Sequence, residues 1–493
     1  MKAVALLGLV CAGCAVGGYG TAHPDAGAGG TGGHATSTGG TIAATAGSTG
    51  GGGTTTTLPP ATATPMFGPR ADFDGPCARV AGAIDVNLGN APEAFVRAAY
   101  CQINGAEPPA DVVSQWATQL RTVEYVRRVD VVRSLCQTAK RSCTLSYSDP
   151  WQADIPVTPT CTRKTTRDLG AVLMFFSDCP RGVNCGMDWA NTHAHGMDTP
   201  HPLLGFGSVP ANYYNPRNPG WWSRELADAK WAGLQFFLVN TYGPDLSGSP
   251  DPLAMLGQAL AQAGDDSVKV ALFDDPWAWG QPSSSGAFRT RPDLSQTEAA
   301  AQAIYTAKWK PFYSRIDPKH WYTFRGRPFV YFYNAGTLNP LNVSAAVVAR
   351  LKALFAADFK VTPFVVVETA YFQDPAMPTV ADSQFTWNSL TANPRIRSTL
   401  GGFKIDHFMV RWDPVGRDKP GVIASAGDRL IKGTSLLQQR LTDSSDADVA
   451  VVATWNDLGE GTGIERNYDY YLAGAWSPPT TFMSLTRAAQ CGD

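Results

Sequence analysis

Two carboxylates at the end of an apolar run are the residues of this chain best suited to chemistry. The run Val449–Ala453 leads into the segment Trp455–Gly461, which reads WNDLGEG. A buried strand that passes into a glycine-rich loop would present Asp457 and Glu460 together at its end. Cleavage of a glycosidic bond needs two such acids, one to protonate the leaving oxygen and one as base or nucleophile. Trp455 could stack on a sugar ring. An ordinary acidic turn is the alternative, because Asp, Asn and Gly also fill turns for local backbone reasons.

The same segment resembles the signatures of two glycoside hydrolase families. WNDLGE is similar to the W-N-D-[aromatic]-G-E signature of family 71, the α-1,3-glucanases, and EGTGIE is similar to the E-G-T-Q-I-E part of the family 99 motif. Family 99 contains the endo-α-mannosidases and endo-α-mannanases. The resemblance implies a (β/α)8 barrel in which Glu460 is the general acid and Asp457 is its partner. That partner is Asp in family 71 and Glu in family 99, and family 99 has His where this chain has Gly459.

From about residue 168, strand-like apolar runs alternate with helical segments. Strands are predicted at residues 171–176, 236–240, 268–273, 329–333, 364–367, 407–411 and 449–454, with a weaker one at 384–387. Helices are predicted at residues 223–232, 252–262, 296–313, 344–357 and 428–441. The alternation indicates βαβ units and a parallel sheet, and roughly eight repeats suit a (β/α)8 TIM barrel over residues 148–493. A doubly wound open sheet is the alternative, but neither G-x-G-x-x-G after the first strand nor a Walker A motif occurs.

The ends of the predicted strands carry acids, amides and aromatic residues. A TIM barrel builds its active site at the carboxyl ends of its strands, so this pattern favours a sugar-lined cleft. The candidate substrate-binding residues are Trp455, Asn456, Asp178, Tyr242, Asp274, Asp275, Trp277, Trp279, Asn334, Glu368, Trp412 and Glu465. Asp274, Asp275 and Glu368 could bind hydroxyls or replace the partner of Glu460, and helix caps or loop ion pairs are the alternatives. The tryptophans could stack on sugars or pack at the rim.

A second polar cluster occurs between the first predicted strand and its helix. It consists of Asp188, His193, His195, Asp198 and His201. Histidine is a frequent metal ligand, but these side chains could equally contact a sugar or belong to a structural loop. The prediction for this chain is that it uses no metal and no cofactor.

The amino-terminal region predicts export. Lys2 and the apolar run Ala3–Val10 form a secretion signal. Residues 11–14 (CAGC) resemble a bacterial lipobox with Cys14 acylated, and ordinary signal-peptidase cleavage is the alternative. Residues 15–72 are a Gly/Thr/Ser-rich tether that cannot form a core. No later segment reaches the ~20 apolar residues of a membrane helix. We therefore expect a secreted protein or a surface lipoprotein attached only through lipid.

Residues 73–147 predict a small all-α module. Val112, Trp116 and Leu120 recur on one face of a helix. The stretch from Ala94 to Val126 resembles the small helical domain of unknown function 4214, which accompanies many secreted bacterial proteins. The resemblance implies an extracellular accessory module without chemistry of its own. Three helices packed as a structural cap are the plainer interpretation.

The remaining cysteines predict disulfides. Eight follow the lipobox, an even number in an exported chain: Cys77, Cys101, Cys136, Cys143, Cys161, Cys179, Cys185 and Cys491. We predict the bonds Cys179–Cys185 and Cys161–Cys491, with the other four cysteines paired inside the helical module. A zinc site is the alternative, but no C-x-x-C pair occurs after the lipobox.

Composition narrows the class of partner. A net charge of −2 and 17% charged residues argue against nucleic acid. The leading hypothesis is a monomeric, exported glycoside hydrolase that cleaves an α-linked polysaccharide (α-glucan or α-mannan) within the chain. A non-catalytic carbohydrate-binding lipoprotein and a structural adhesin are the alternatives, and the intact Asp457/Glu460 pair favours the enzyme.

Overall fold

A computed structural model provides the fold. It describes residues 72–86, 88–122, 128–146, 161–174, 219–241, 251–264, 266–275, 296–333, 343–387, 395–410, 433–456, 462–466, 471–472, 475–476, 478 and 480–492. The predicted signal peptide, the lipidation site Cys14 and the tether up to residue 71 lie outside these residues. So do the predicted Cys179–Cys185 bond and the histidine segment 188–201. Within the described ranges, no helix combines the length and apolarity needed to cross a bilayer.

Three helices and two short strands form the amino-terminal part of the described chain. They are β1 (Ile84–Asp85), α1 (Pro92–Asn104), α2 (Ala110–Thr122), α3 (Arg128–Thr138) and β2 (Leu145–Ser146). The helices bury a separate apolar cluster that includes Phe95, Val96 and Val131. Disulfides Cys77–Cys101 and Cys136–Cys143 cross-link this part of the chain, which confirms that these four cysteines pair locally. The resemblance to domain of unknown function 4214 stays a prediction.

The larger part of the molecule is built on one sheet with eight parallel strands. These are β3 (Asp168–Met174), β4 (Phe236–Thr241), β5 (Lys269–Asp274), β7 (Arg327–Phe332), β8 (Phe364–Glu368), β9 (Ser383–Phe385), β11 (Ile405–Met409) and β12 (Val449–Ala453), with antiparallel additions β6 (Thr323–Phe324) and β10 (Arg395–Ser398). Each predicted strand overlaps one of the eight. The order β11-β12-β3-β4-β5-β7-β8-β9 brings β9 back into contact with β11, so the sheet is nearly closed into a barrel. A short hairpin, β13 (Tyr471–Leu472) and β14 (Ala475–Trp476), follows.

Helices cover the outside of this sheet. They are α4 (Pro219–Ala232), α5 (Pro252–Ala263), α6 (Thr297–Ile304), α7 (Lys310–Arg315), α8 (Ala345–Phe359), α9 (Gly433–Asp443) and α10 (Thr481–Gln490). A π-helical turn, Tyr305–Trp309, joins α6 to α7. Side-chain caps start two of them, because Asp251 accepts from the first backbone amides of α5 and Ser344 from those of α8.

Two connections depart from strict alternation of strand and helix. Between β8 and β9 the chain makes only 3-10 turns, at Thr369–Gln373 and Met377–Thr379. Pro375 and Pro378 lie in this connection, and proline interrupts helical hydrogen bonding. Between β9 and β11, the described residues contain β10, which pairs antiparallel with β11. The fold is therefore α/β with a nearly closed barrel, and these two connections lack a helix in their described residues.

The barrel wall separates two apolar clusters, because successive strand residues point to opposite faces. Large aliphatic and aromatic side chains fill the space between wall and helices. Aromatic rings fill the interior, where Tyr331 stacks on Phe385 with centroids 4.0 Å apart. Gly170 makes room for an interior ring, since a Cβ there would lie 2.3 Å from the ring of Phe236. The side of the wall that a residue faces therefore decides whether it can meet a substrate.

The two ends of the barrel domain are joined covalently. Cys161, before β3, is bonded to Cys491, after α10, which confirms that predicted disulfide. Buried Arg167 reinforces the junction by donating to the side-chain carbonyl of Gln490 (3.0 Å), next to Cys491.

Candidate active site

The segment with the candidate acid pair is anchored on both sides. Asp457 and Glu460 lie outside the described residues, but both flanks are described. The carbonyl of Trp455 accepts hydrogen bonds from the amides of Ile464 (2.8 Å) and Glu465 (2.9 Å). The hydroxyls of Thr454 and Thr462 are 2.7 Å apart. Both ends of the segment that carries the acids are thus fixed at the carboxyl end of β12.

A glycine lies at one of these anchor points in close contact with the other flank. A Cβ on Gly463 would lie 3.1 Å from the carbonyl oxygen of Trp455 and 3.3 Å from the Cα of Asn456. Such contacts are tighter than most Cβ contacts, so a larger residue would push the two flanks apart by a few tenths of an ångström. This explains the glycine of the EGTGIE sequence in terms of backbone approach.

Trp455 lies in the core between wall and helices rather than at a sugar-binding surface. Its ring is fully buried on the outer side of the wall, in edge-on contact with Phe237 at 5.3 Å. Its indole N–H donates to the Glu225 carboxylate on α4. The expected stacking of Trp455 on a sugar is therefore revised, because both faces and the N–H serve the core.

The side chains of Glu465 and Asn456 also bond to the protein around the motif. Glu465 is 1% exposed, and its carboxyl group hydrogen-bonds that of Glu225 on the helix side of the wall. The Asn456 side chain accepts from the amide of Met174 (2.6 Å) and donates to its carbonyl (3.1 Å). The predicted sugar-binding roles of these two residues are replaced by attachment of the motif to α4 and to the end of β3.

The adjacent acids Asp274 and Asp275 take opposite sides of the wall. Asp274 faces the helices, where it accepts from the ammonium of Lys308 (2.7 Å) and the indole N–H of Trp309 (2.6 Å). All three groups are buried. Asp274 is thus a structural ion pair, which corrects its assignment as a substrate ligand. Asp275 lies on the interior side, and its carboxylate accepts from the side-chain amide of Asn240 (3.0 Å).

Glu368 ends β8 on the interior side, on the same rim as Asp275 and separated from it by β7. The pairing of Asp274 with Phe332 and of Phe332 with Val367 sets Asp275, Tyr333 and Glu368 side by side on adjacent strands. Burial, and then the charges of Asp274, Glu368 and Asp275, raise the pKa of the Tyr371 phenol. Burial raises the pKa of Glu368 to about 7, although backbone amides of Ala370, Trp387 and Thr369 donate to it and oppose the shift. A carboxyl group with this pKa can hold and release a proton near neutrality.

Three interior aromatic residues lie beside Glu368: Tyr333, at the end of a predicted strand, and Trp387 and His407, which the sequence did not mark as site residues. The half-buried ring of Trp387 lies 5.1 Å from that of Tyr333 and 5.2 Å from the imidazole of His407. Burial lowers the pKa of His407 to about 3, so it is neutral. The weak run QFTW at 384–387 was the available signal for Trp387, since it places Trp at a strand end.

Several predicted site residues lie outside the described part of the chain. They are Asp178, Tyr242, Trp277, Trp279, Asn334, Trp412, Asp457 and Glu460. Within the described ranges, Cys77, Cys101 and Glu107 have ligand atoms close enough to hold a metal ion. The two cysteines are joined in a disulfide, which removes the thiolates that a metal would need.

A cavity of about 420 Å³ lies at the opposite end of the barrel. Its lining includes Asp168 and Lys269, which begin strands β3 and β5, and Tyr322. The hydroxyl of Tyr322 donates to Asp168 (3.0 Å). Residues at the amino ends of barrel strands contribute to stability rather than to catalysis, so the carboxyl end remains the candidate active site.

Known structures resemble this chain at low identity. The GH99 endo-alpha-mannosidase from Bacteroides thetaiotaomicron is 13% identical, with a TM-score of 0.43 over 65% of this chain and 96% of that chain. A glycoside hydrolase-like protein is 15% identical, with a TM-score of 0.46 over 68% and 97%. A GH138 enzyme targeting pectin rhamnogalacturonan II is 9% identical, with a TM-score of 0.34 over 74% and 43%.

Comparison with curated proteins and with family models gives one match. No curated protein matches the chain. A family model described as a domain of unknown function, DUF5010, matches residues 188–488. This match includes every barrel strand after β3 and the motif at the end of β12. The chain therefore belongs to the DUF5010 family.

Proposed function

We propose that the protein is an exported glycoside hydrolase that cleaves an α-linked polysaccharide, an α-glucan or α-mannan, within the chain. One observation carries the proposal. The flanks of the WNDLGE segment are hydrogen-bonded to each other at the carboxyl end of β12, in a nearly closed parallel barrel. Barrel enzymes build their active sites at this end. The resemblance of the segment to families 71 and 99 supplies the class of reaction.

In this proposal Glu460 and Asp457 divide the work of bond cleavage. Glu460 donates its proton to the glycosidic oxygen as the bond breaks. Asp457 is ionised and either takes a proton from the water that attacks the anomeric carbon or attacks that carbon itself, forming a glycosyl-enzyme ester that water then hydrolyses. The two acids need different protonation states at one pH, so their surroundings must separate their pKa values.

The interior residues at the rim would bind the sugar beside the scissile bond. Asp275, oriented by Asn240, would accept a hydrogen bond from a sugar hydroxyl. Glu368, with a pKa of about 7, could in its protonated form donate a hydrogen bond to another hydroxyl. The half-buried ring of Trp387 offers an apolar face to the sugar ring. These groups combine hydrogen bonding and stacking, as a sugar subsite requires.

Export and anchoring belong to the same proposal. The disulfides Cys77–Cys101, Cys136–Cys143 and Cys161–Cys491 suit an oxidising compartment outside the cytoplasm. Acylation of Cys14 would attach the enzyme to a membrane surface, with the tether holding the barrel away from it. The helical module would serve as an accessory unit, and the enzyme would act as a monomer without a cofactor.

Reducing-sugar release from a panel of glycans tests this function. The panel contains α-1,3-glucan, α-mannan and β-glucans, and the proteins are the wild type, Glu460→Gln and Glu107→Gln. The last makes the same chemical change at an exposed residue of the helical module. We expect one α-glycan to be cleaved by the wild type and Glu107→Gln but not by Glu460→Gln. Undiminished release by Glu460→Gln would remove Glu460 from the mechanism, and no release from any glycan would refute the enzyme.

A further inference from the structure

The helix behind the motif carries buried acids that the proposed mechanism does not use. Glu225 and Asp228 lie three positions apart on α4, hence on one helix face, and are 0% and 1% exposed. Both face the flanks of the 457–461 segment. Glu225 accepts from the indole N–H of Trp455, and Asp228 forms a two-point ion pair with Arg466 at 2.6 and 2.8 Å. One helix thus holds the residues that precede the segment and those that follow it.

A shared proton links the two flanks through Glu225. The carboxyl groups of Glu225 and Glu465 hydrogen-bond each other. Two carboxylates can do this only if one keeps its proton, because an ionised carboxylate has no donor. Burial, and secondarily the negative charge of Asp228, raise the pKa of Glu225 to about 8, against the opposing effects of Trp455, Arg466 and the hydrogen bond with Glu465.

We infer that Glu225 is a positioning residue, which sets the geometry of the acid-bearing segment by bonding Trp455 before it and Glu465 after it. Glu225 acts from the helix side of the wall and touches no reacting atom. The expected effect of Glu225 on turnover rests on the proposed function, whereas its expected effect on the backbone does not. Rigid support of this kind matters because a displacement of 1 Å at catalytic groups can reduce the rate on the order of 100-fold.

Two substitutions separate positioning from general stability. Glu225→Gln keeps an acceptor for the indole N–H and an amide donor for Glu465, so it reproduces the protonated pair without a titrating group. Glu225→Ala removes both bonds. Asp406→Asn is the matched control. Asp406, on β11, is equally buried and forms an ion pair with Arg397 of β10 (2.7 Å), away from the motif.

The experiment measures amide hydrogen exchange at Ile464 and Glu465, whose N–H groups bond to Trp455, together with kcat and KM on the glycan identified by the panel. For Glu225→Ala we expect faster exchange at both amides and a kcat reduced on the order of 100-fold with KM little changed. Glu225→Gln should match the wild type, and Asp406→Asn should change neither quantity in folded protein.

The two readouts distinguish failure of the inference from failure of the proposed function. Unchanged exchange at Ile464 and Glu465 in Glu225→Ala would overturn the positioning role, whatever the activity. Faster exchange with an undiminished kcat would overturn its catalytic relevance. If the wild type cleaves no glycan, the proposed function fails, and the exchange data alone still decide whether Glu225 holds the segment. If Glu225→Ala does not fold, Trp455→Phe, which removes only the indole donor, takes its place.

Discussion

Asp274 and Asp275 are consecutive residues at the end of β5, yet they meet opposite environments. Asp274 faces the helices and is neutralised by Lys308 and by the indole of Trp309. Asp275 faces the barrel interior and is oriented by the neutral amide of Asn240. The same contrast separates Glu225, bonded on the outer side, from Glu368, which ends β8 on the inner side.

This contrast shows how one wall can carry acids for two purposes. On the outer side, acids bond to buried ammonium, guanidinium or indole groups, and these bonds hold strands to helices. On the inner side, Asp275 accepts from a side-chain amide and Glu368 accepts from backbone amides. A carboxyl group at a strand end therefore becomes a site candidate through the face it occupies rather than through its sequence position.

The largest expected effect comes from breaking the outer pair. Asp274→Ala leaves the Lys308 ammonium buried without its counter-ion, which should lower the free energy of unfolding by about 3–5 kcal/mol. Urea denaturation measures it. As a control, Glu107→Ala, which removes the exposed ion pair with Arg97, should lower the free energy of unfolding by less than about 1 kcal/mol. If Asp274→Ala does not fold, Asp274→Leu with Lys308→Met should fold, because apolar residues can replace a buried pair. A loss under about 1 kcal/mol would contradict the structural role.

Next in size is a pH effect at Glu368. Its folded pKa of about 7 lies above the unfolded value near 4.5, so the folded protein keeps a proton that the unfolded chain releases. Stability should therefore fall as pH rises from about 4.5 to 7, by about 2–3 kcal/mol relative to Glu368→Gln. Urea unfolding of both proteins at about pH 5 and about pH 7.5 measures the difference. Parallel pH dependences would show that Glu368 is ionised in the folded state.

Asp275→Asn tests whether an acid on the inner side of the wall contributes to activity rather than to stability. The substitution keeps the volume and removes the charge, so it should lower kcat/KM about 10- to 100-fold, as expected for one hydrogen bond to a charged group. The free energy of unfolding should change by less than about 1 kcal/mol, since Asn240 remains able to bond the new amide. Steady-state kinetics with urea unfolding tests both parts. Unchanged kinetics would place Asp275 outside the sugar site.

The smallest effect concerns aromatic stacking. Trp387→Phe should raise KM about 2- to 10-fold with kcat nearly constant, because a smaller ring loses about 0.5–1.5 kcal/mol of contact. Trp231→Phe on the outer helix α4 is the control, and it should leave KM unchanged. Equal effects of the two substitutions would show that Trp387 acts only through packing.

The sequence predicted the barrel strands well, because β-branched and aromatic runs mark strands buried on both faces. Each predicted strand has a counterpart, and the predicted bond Cys161–Cys491 is present. The weak run at 384–387 predicted β9, and the sequence predicted no helix on either side of it; the described residues of these two connections contain 3-10 turns and no α-helix. Periodicity left the hairpin partner β10 unseen, since that strand is only four residues long.

The candidate site was harder to predict than the fold. Sequence position identifies strand ends but not the side of the wall, so Asp274 and Trp455 were assigned to the sugar although they face the helices. Glu225 carried no signal, because an acid within an amphipathic helix normally indicates a solvated face. Its burial depends on Trp455 and Glu465, which are more than 200 residues away in the chain.

The central claim is that sugar binds on the inner side of the wall at the carboxyl end of the barrel. Amide hydrogen exchange of Glu460→Gln, with and without an oligosaccharide of the cleaved α-glycan, tests it most directly. We predict slower exchange on binding at residues 368–371 and at Trp387, with no change near the amino-end cavity at Lys269 and Thr323. Protection confined to the amino-end cavity, or none at 368–371 with bound sugar, would contradict the claim.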